Sequence, residues 1–174
     1  MKRHTIIILL ALIAVGLIFV GITTAQKGPK AAKSKAEKGE VKYPDRYRYW
    51  THVKSMVIQP GHELHDAFGG IHHIYANRPA LNALLKGRKF SNGSTFVFDL
   101  FEAERRDYAI VEGAHKIVGV MQKHDKKYAS TGGWGFEVFR GDTRERMVDD
   151  PIRKCFKCHE SERAGDYVFS KFRP

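Results

Sequence analysis

The run Cys155-Phe156-Lys157-Cys158-His159 constrains this chain more than any other stretch. Two thiols three residues apart lie on one face of a helical turn, and a histidine directly after the second can turn its ring beneath a flat macrocycle. This is the attachment pattern of a c-type haem, in which each thiol adds across one porphyrin vinyl group and the histidine ligates the iron. The sequence holds no other cysteine, which removes a multi-bridge disulfide framework and a four-cysteine zinc site. A lone disulfide, a redox dithiol and half of a Cys/His zinc site remain as other readings of the pair. Covalent attachment of a single haem is preferred, because an export-type segment stands at the start of the chain and no thioredoxin-like strand–CxxC–helix pattern surrounds the motif.

Residues 1–25 carry that export signal. Lys2, Arg3 and His4 precede an apolar run from Thr5 to Ile22, and Thr23-Thr24-Ala25 offers small residues for cleavage before Gln26. The run has 18 residues, long for a signal peptide and at the lower limit for an uncleaved N-terminal membrane anchor. Both outcomes place the remainder in the periplasm, soluble or tethered to the outer face of the cytoplasmic membrane. Residues 26–42 lack aromatics and hold one large aliphatic, Val41, too little to offset the entropy of ordering them, so they read as a flexible basic linker. The folded domain is then residues 43–174, enough for one core of ordinary size.

The net charge of +11 suggests nucleic acid until it is divided. Residues 1–42 hold 8 Lys/Arg against 2 Asp/Glu, which leaves the domain with 22 against 17. That modest excess is interleaved with acids, as from Arg140 to Asp150, so it reads as a solvated surface with no nucleic-acid partner.

Within the domain, alternation and β-branched residues predict strands at 49–58, 71–76, 94–102, 114–122 and 133–140. In the first, Trp50, His52, Lys54 and Met56 would share one side and Thr51, Val53, Ser55 and Val57 the other. A short helix follows Asn77, with Leu81, Leu84 and Leu85 as its apolar face, and residues 123–127 form a charged turn. Residues 147–162 should be helical around the Cys-x-x-Cys-His run, with Pro151 in the first turn. The class is α+β, mainly β, with about five strands, a few helices and a haem-bearing C-terminal helix.

His62-x-x-His65 and His72-His73 look like metal ligands, yet adjacent histidines on a strand point to opposite faces, and no acid or cysteine stands at a helpful spacing. They read as surface or hydrogen-bonded histidines. Only fifteen residues follow His159 and none is methionine, so any sixth ligand must come from upstream strands. Met56, Met121 and Met147 suit core filling better than ligation. An open or hydrophobically capped iron, one that binds small ligands, is the preferred reading.

From about Tyr47 to Pro174 the chain resembles the cytochrome P460 family, closest to its cytochrome c′-β branch. The resemblance is carried by the Trp50 strand, residues 68–75, Asn92-Gly93 with the strand after it, Thr131-Gly132-Gly133-Trp134-Gly135-Phe136, the Cys155-x-x-Cys158-His159 run and Asp166-Tyr167-Val168-Phe169-Ser170. It implies a mainly antiparallel sheet, a homodimer, and a five-coordinate haem with His159 proximal. Hydroxylamine-oxidising members carry a lysine cross-linked to the porphyrin and a distal carboxylate. Here Phe98 holds the lysine's place and Val118-Gly119-Val120-Met121 holds the other, without an acid. By the resemblance, Phe98 is a hydrophobic distal cap with Phe68 as its partner. Such a pocket gives dioxygen no hydrogen bond, whereas nitric oxide binds ferrous haem without polar help. The expectation is therefore a nitric oxide carrier, scavenger or sensor with an unidentified redox partner. A P460-type enzyme acting on hydroxylamine or nitric oxide, and a simple electron-transfer cytochrome, are the alternatives.

Overall fold

The computed structural model describes residues 41–87 and 89–173. The export segment and residues 26–40 of the linker lie outside the described residues, among which no helix is long and apolar enough to cross a membrane. Val41 is buried, and its carbonyl accepts a hydrogen bond from Arg146.

Five strands form one antiparallel sheet whose spatial order is the chain order: β1 (Thr51–Ile58), β2 (Gly70–Ala76), β3 (Thr95–Arg106), β4 (Ala109–Lys123) and β5 (Trp134–Arg140). The antiparallel sheet with few helices agrees with the sequence reading. β3 and β4 run past the expected ends and meet in a tight turn at Asp107 and Tyr108, both left-handed at φ 48° and 63°. Helix α1 (His65–Phe68) lies in the connection between β1 and β2. Helix α2 (Arg78–Lys86) starts as its sequence demands: Asn77 Oδ1 accepts from Ala80 N, and from Thr95 N of β3 as well, tying helix to sheet.

The faces of β1 differ from the expected alternation. The β1–β2 register shifts between His52 and Lys54, a bulge at Val53, so His52 and Ser55 share one face while Lys54 stands beside Ile74 on the other. Hydrogen bonds confirm the exchange: Ser55 Oγ lies 2.9 Å from His52 Nε2 and 2.7 Å from His73 Nδ1, and His73 Nε2 lies 2.6 Å from Glu112. Lys123, expected in an exposed turn, ends β4 and is buried.

One face of the sheet carries the main core. Ile74, Ala76, Phe96, Met121, Trp134 and Phe136 pack there under Ala80 and Ala83 of α2 and Phe156, Tyr167 and Val168 of the C-terminal segment. The opposite face buries Val97, Val118, Val120 and Phe139 under Val41 and Tyr47. Asp99 sits on that second face, 1 % exposed, accepting from Tyr47 Oη at 2.7 Å and Arg48 Nε at 2.9 Å, with His115 Nε2 at 2.7 Å. Burial, and then the bond to Asp99, hold the Tyr47 hydroxyl far above the usual phenol range. Replacing Asp99 with Ala strands the buried Tyr47 hydroxyl and His115 ring and unties Arg48, so the Asp99→Ala variant should lose about 3 kcal/mol of stability, read as a lowered urea midpoint with unchanged slope.

Candidate haem site

The C-terminal segment is helical from Ile152, not from Met147, and continues to Gly165. It opens in a π-helical turn (Ile152–Phe156), passes through one α-turn (Lys157–His159) and tightens to 3-10 geometry (Glu160–Gly165). Pro151 precedes it at φ −67°, where its missing N–H costs nothing. Phe156, buried between the two cysteines, anchors the segment: its ring lies 5.4 Å from Tyr167 and 6.2 Å from Phe136 of β5. Cys155 is half-buried against the core and Cys158 is exposed. Burial, and secondarily Glu137, pushes the Cys155 thiol up to about 11.

His159 is placed by three groups. Its Nδ1 lies 2.8 Å from the Tyr167 carbonyl, and its ring stands 4.9 Å from Phe136 and 5.0 Å from Phe169. A carbonyl can only accept, so Nδ1 carries the proton and Nε2 presents its lone pair. Burial lowers the pKa of this ring and favours the neutral form that ligates metals.

The carbonyl that orients His159 belongs to a strained corner. Asp166 and Tyr167 are consecutive left-handed residues at φ 55° and 67°. The Asp166 carboxylate accepts from buried Lys123 Nζ at 2.9 Å and from Phe90 N at 3.1 Å, and its carbonyl accepts from Trp134 Nε1 at 2.8 Å. Arg163 Nε reaches Tyr167 Oη at 3.1 Å, and a Cβ on Gly132 would collide with the Tyr167 ring.

The sequence pointed to Phe68 and Phe98 together, and they meet edge to face with centroids 5.8 Å apart. Phe98 lies in a row that crosses the whole sheet: Lys54, Ile74, Phe98, Gly119, Val138. Phe98 and Gly119, on inner strands, and Val138, on the edge strand β5, are only half-buried although they lie on the face that carries the core. A flat apolar strip therefore runs beside the row of Phe96, Met121 and Phe136, against which His159 packs. Paired cysteines, a neutral imidazole with a free Nε2 and an apolar strip with a glycine at its centre fit a haem.

Sequence reasoning missed three participants. Asp166 and Tyr167 lacked the usual glycine signal of a left-handed corner, and Lys123 looked like a surface cation. His72 and His73 do point to opposite faces, as strand geometry requires. His72 lies on the face of Ile74, 1 % exposed, its ring 4.4 Å from that of Phe98. His62 and His65 stay near α1, where His62 Nδ1 accepts from Leu64 N.

Residues 44–170 match the sequence profile of a family of haem-binding cytochromes. The family is cytochrome P460, and the chain belongs to it. No curated protein matches the chain.

If the Asp166 corner sets the direction of His159, removing its carboxylate should act at two levels. Asp166→Ala leaves the buried Lys123 ammonium and Phe90 N–H without this acceptor, an expected loss of about 3 kcal/mol in urea unfolding. It should also broaden the proximal histidine signals in the NMR spectrum of the haem-loaded protein.

Proposed function

We propose that this protein is an exported mono-haem c-type cytochrome of the cytochrome c′-β kind, a periplasmic homodimer that binds nitric oxide as carrier, scavenger or sensor. In this reading Cys155 and Cys158 hold the porphyrin through thioethers and His159 Nε2 ligates the iron. The Tyr167 carbonyl fixes the tautomer that this ligation needs. Lys54, Lys171 and Arg173 line a cleft of about 420 Å³ beside Phe169 and would answer the negative charge of the propionates. A bound haem would supply an iron with one position open to a small ligand.

The observation that carries the nitric oxide reading is the Phe68–Phe98 pair. Two aromatic rings make an apolar, shape-limited wall, and the polar groups beside it are engaged with backbone carbonyls. His72 Nε2 lies 2.5 Å from the Phe68 carbonyl, and Lys116 Nζ donates to the Gly69 carbonyl at 2.8 Å. Aromatic rings give dioxygen no hydrogen bond and leave nitric oxide, which needs none, as the favoured diatomic. The place filled by a lysine in hydroxylamine-oxidising relatives of the resemblance holds Phe98, which supports binding over turnover.

Protein matured in a periplasm should keep its haem through acid–acetone extraction, and Cys155→Ala/Cys158→Ala should release it. The ferrous spectrum should be high-spin and convert fully with stoichiometric nitric oxide, without hydroxylamine turnover. Phe98→Ala should speed nitric oxide and CO association by about tenfold or more in stopped-flow mixing. A red-shifted ferrous band with hydroxylamine turnover would replace this reading by the enzymatic one.

A further inference from the structure

On the sheet face opposite Phe98, four side chains from three strands are tied in a row. Ser55 Oγ of β1 lies 2.9 Å from His52 Nε2 and 2.7 Å from His73 Nδ1 of β2, and His73 Nε2 lies 2.6 Å from Glu112 Oε1 of β4. The bulge at Val53 makes the row possible. In a regular strand His52 and Ser55, three positions apart, would point to opposite faces. The two rings are also steadied by neighbours: His52 stands 5.6 Å from the Tyr75 ring and His73 5.9 Å from that of Phe101. His52, Ser55 and Glu112 are exposed and His73 is partly so, which leaves the row open to solvent.

The hydrogens of the row follow from its last member. A carboxylate only accepts, so Glu112 keeps the proton of a neutral His73 on Nε2 and leaves Nδ1 as a lone pair. An imidazole fixed by a carboxylate at its far nitrogen is the arrangement that surrounds metal-bound histidines. The second imidazole reaches the same place, because His52 Nε2 and His73 Nδ1 share one hydroxyl oxygen. Metal–nitrogen bonds of about 2.0–2.1 Å put each ring centre about 3.2 Å from the ion, so two imidazoles on one ion have centres about 4.5–6.4 Å apart. The centres of His52 and His73 are 5.8 Å apart.

We infer that His52 and His73 form a site for one late first-row divalent cation, with Cu2+ held more tightly than Zn2+. The ion takes the lone pairs of His73 Nδ1 and His52 Nε2, and the His52 proton moves to its own Nδ1. Glu112 stays outside, orienting His73 and adding a negative charge. Among the described residues no group of three or more His, Cys, Asp or Glu is gathered to hold a metal. The site is therefore a two-imidazole one completed by water, and its cation is exchangeable rather than structural.

Calorimetric titration of Zn2+ into untagged, haem-loaded protein should show a saturable site in the micromolar range. His52→Gln and His73→Gln should each weaken it by about tenfold or more, and Glu112→Ala, which removes no ligand, by about tenfold. His62→Gln/His65→Gln should leave it unchanged. Cu2+ should displace the zinc and give an electron paramagnetic resonance signal split by two nitrogens. Wild-type zinc affinity in either His52→Gln or His73→Gln, loss of the site in the His62/His65 control, or splitting by a single nitrogen would overturn the inference. Ser55→Ala separates ligation from a structural role of the row. It breaks the hydrogen bonds but keeps both imidazoles, so zinc affinity should change by less than about threefold. A loss as large as that of the histidine variants would leave the row a structural role only and refute the site.

Discussion

The Tyr167 carbonyl bound to His159 Nδ1 is the interaction on which the site depends, and it exists only because two residues accept a costly backbone conformation. The surrounding contacts over-determine that corner. A buried ammonium from the end of β4, a backbone N–H from the loop after α2, an indole from β5 and the space left by Gly132 all converge on Asp166 and Tyr167. Strain of about 1–3 kcal/mol per residue is sustained by contacts that individually match it. The ring of His159 is consequently aimed by the sheet rather than by its own helix, whose π, α and 3-10 turns are too short to hold a direction alone.

The two faces of the sheet divide the work. One is aromatic and apolar and supports the C-terminal segment; the other is laced with charge around Asp99, Arg48 and His115. The division is visible within single strands of alternating residues. On β3, Phe96, Phe98 and Leu100 face one way and Val97 and Asp99 the other. A charged group on the second face therefore stabilises the strand without lowering the apolarity of the first.

Much of this was legible in the sequence, and the misses have physical causes. Alternation located all five strands, because half-buried antiparallel strands write a period of two. It gave the wrong faces for β1, since a bulge adds one residue without leaving a mark in the pattern, and every side chain beyond it changes side. The Cys155-x-x-Cys158-His159 run pointed to haem because the residue types and spacing are themselves the constraint, and the family match agrees that haem is bound. Phe68 and Phe98, thirty residues apart, met as the resemblance implied. The left-handed corner at Asp166 and Tyr167 and its bond to Lys123 could not be read in advance. Their significance lies in partners contributed by distant strands and in backbone angles, neither of which a local pattern encodes.

The strand order of the sheet has a consequence for how the molecule comes into being. Each strand pairs with the one synthesised just before it, so the sheet can zip by successive hairpins with little loop-closure entropy at any step. The histidine and both cysteines come from the last twenty residues or so of the chain, after the final strand. The surface they dock on can be complete before they arrive, and assembly of the site becomes the closing event of folding rather than its nucleus.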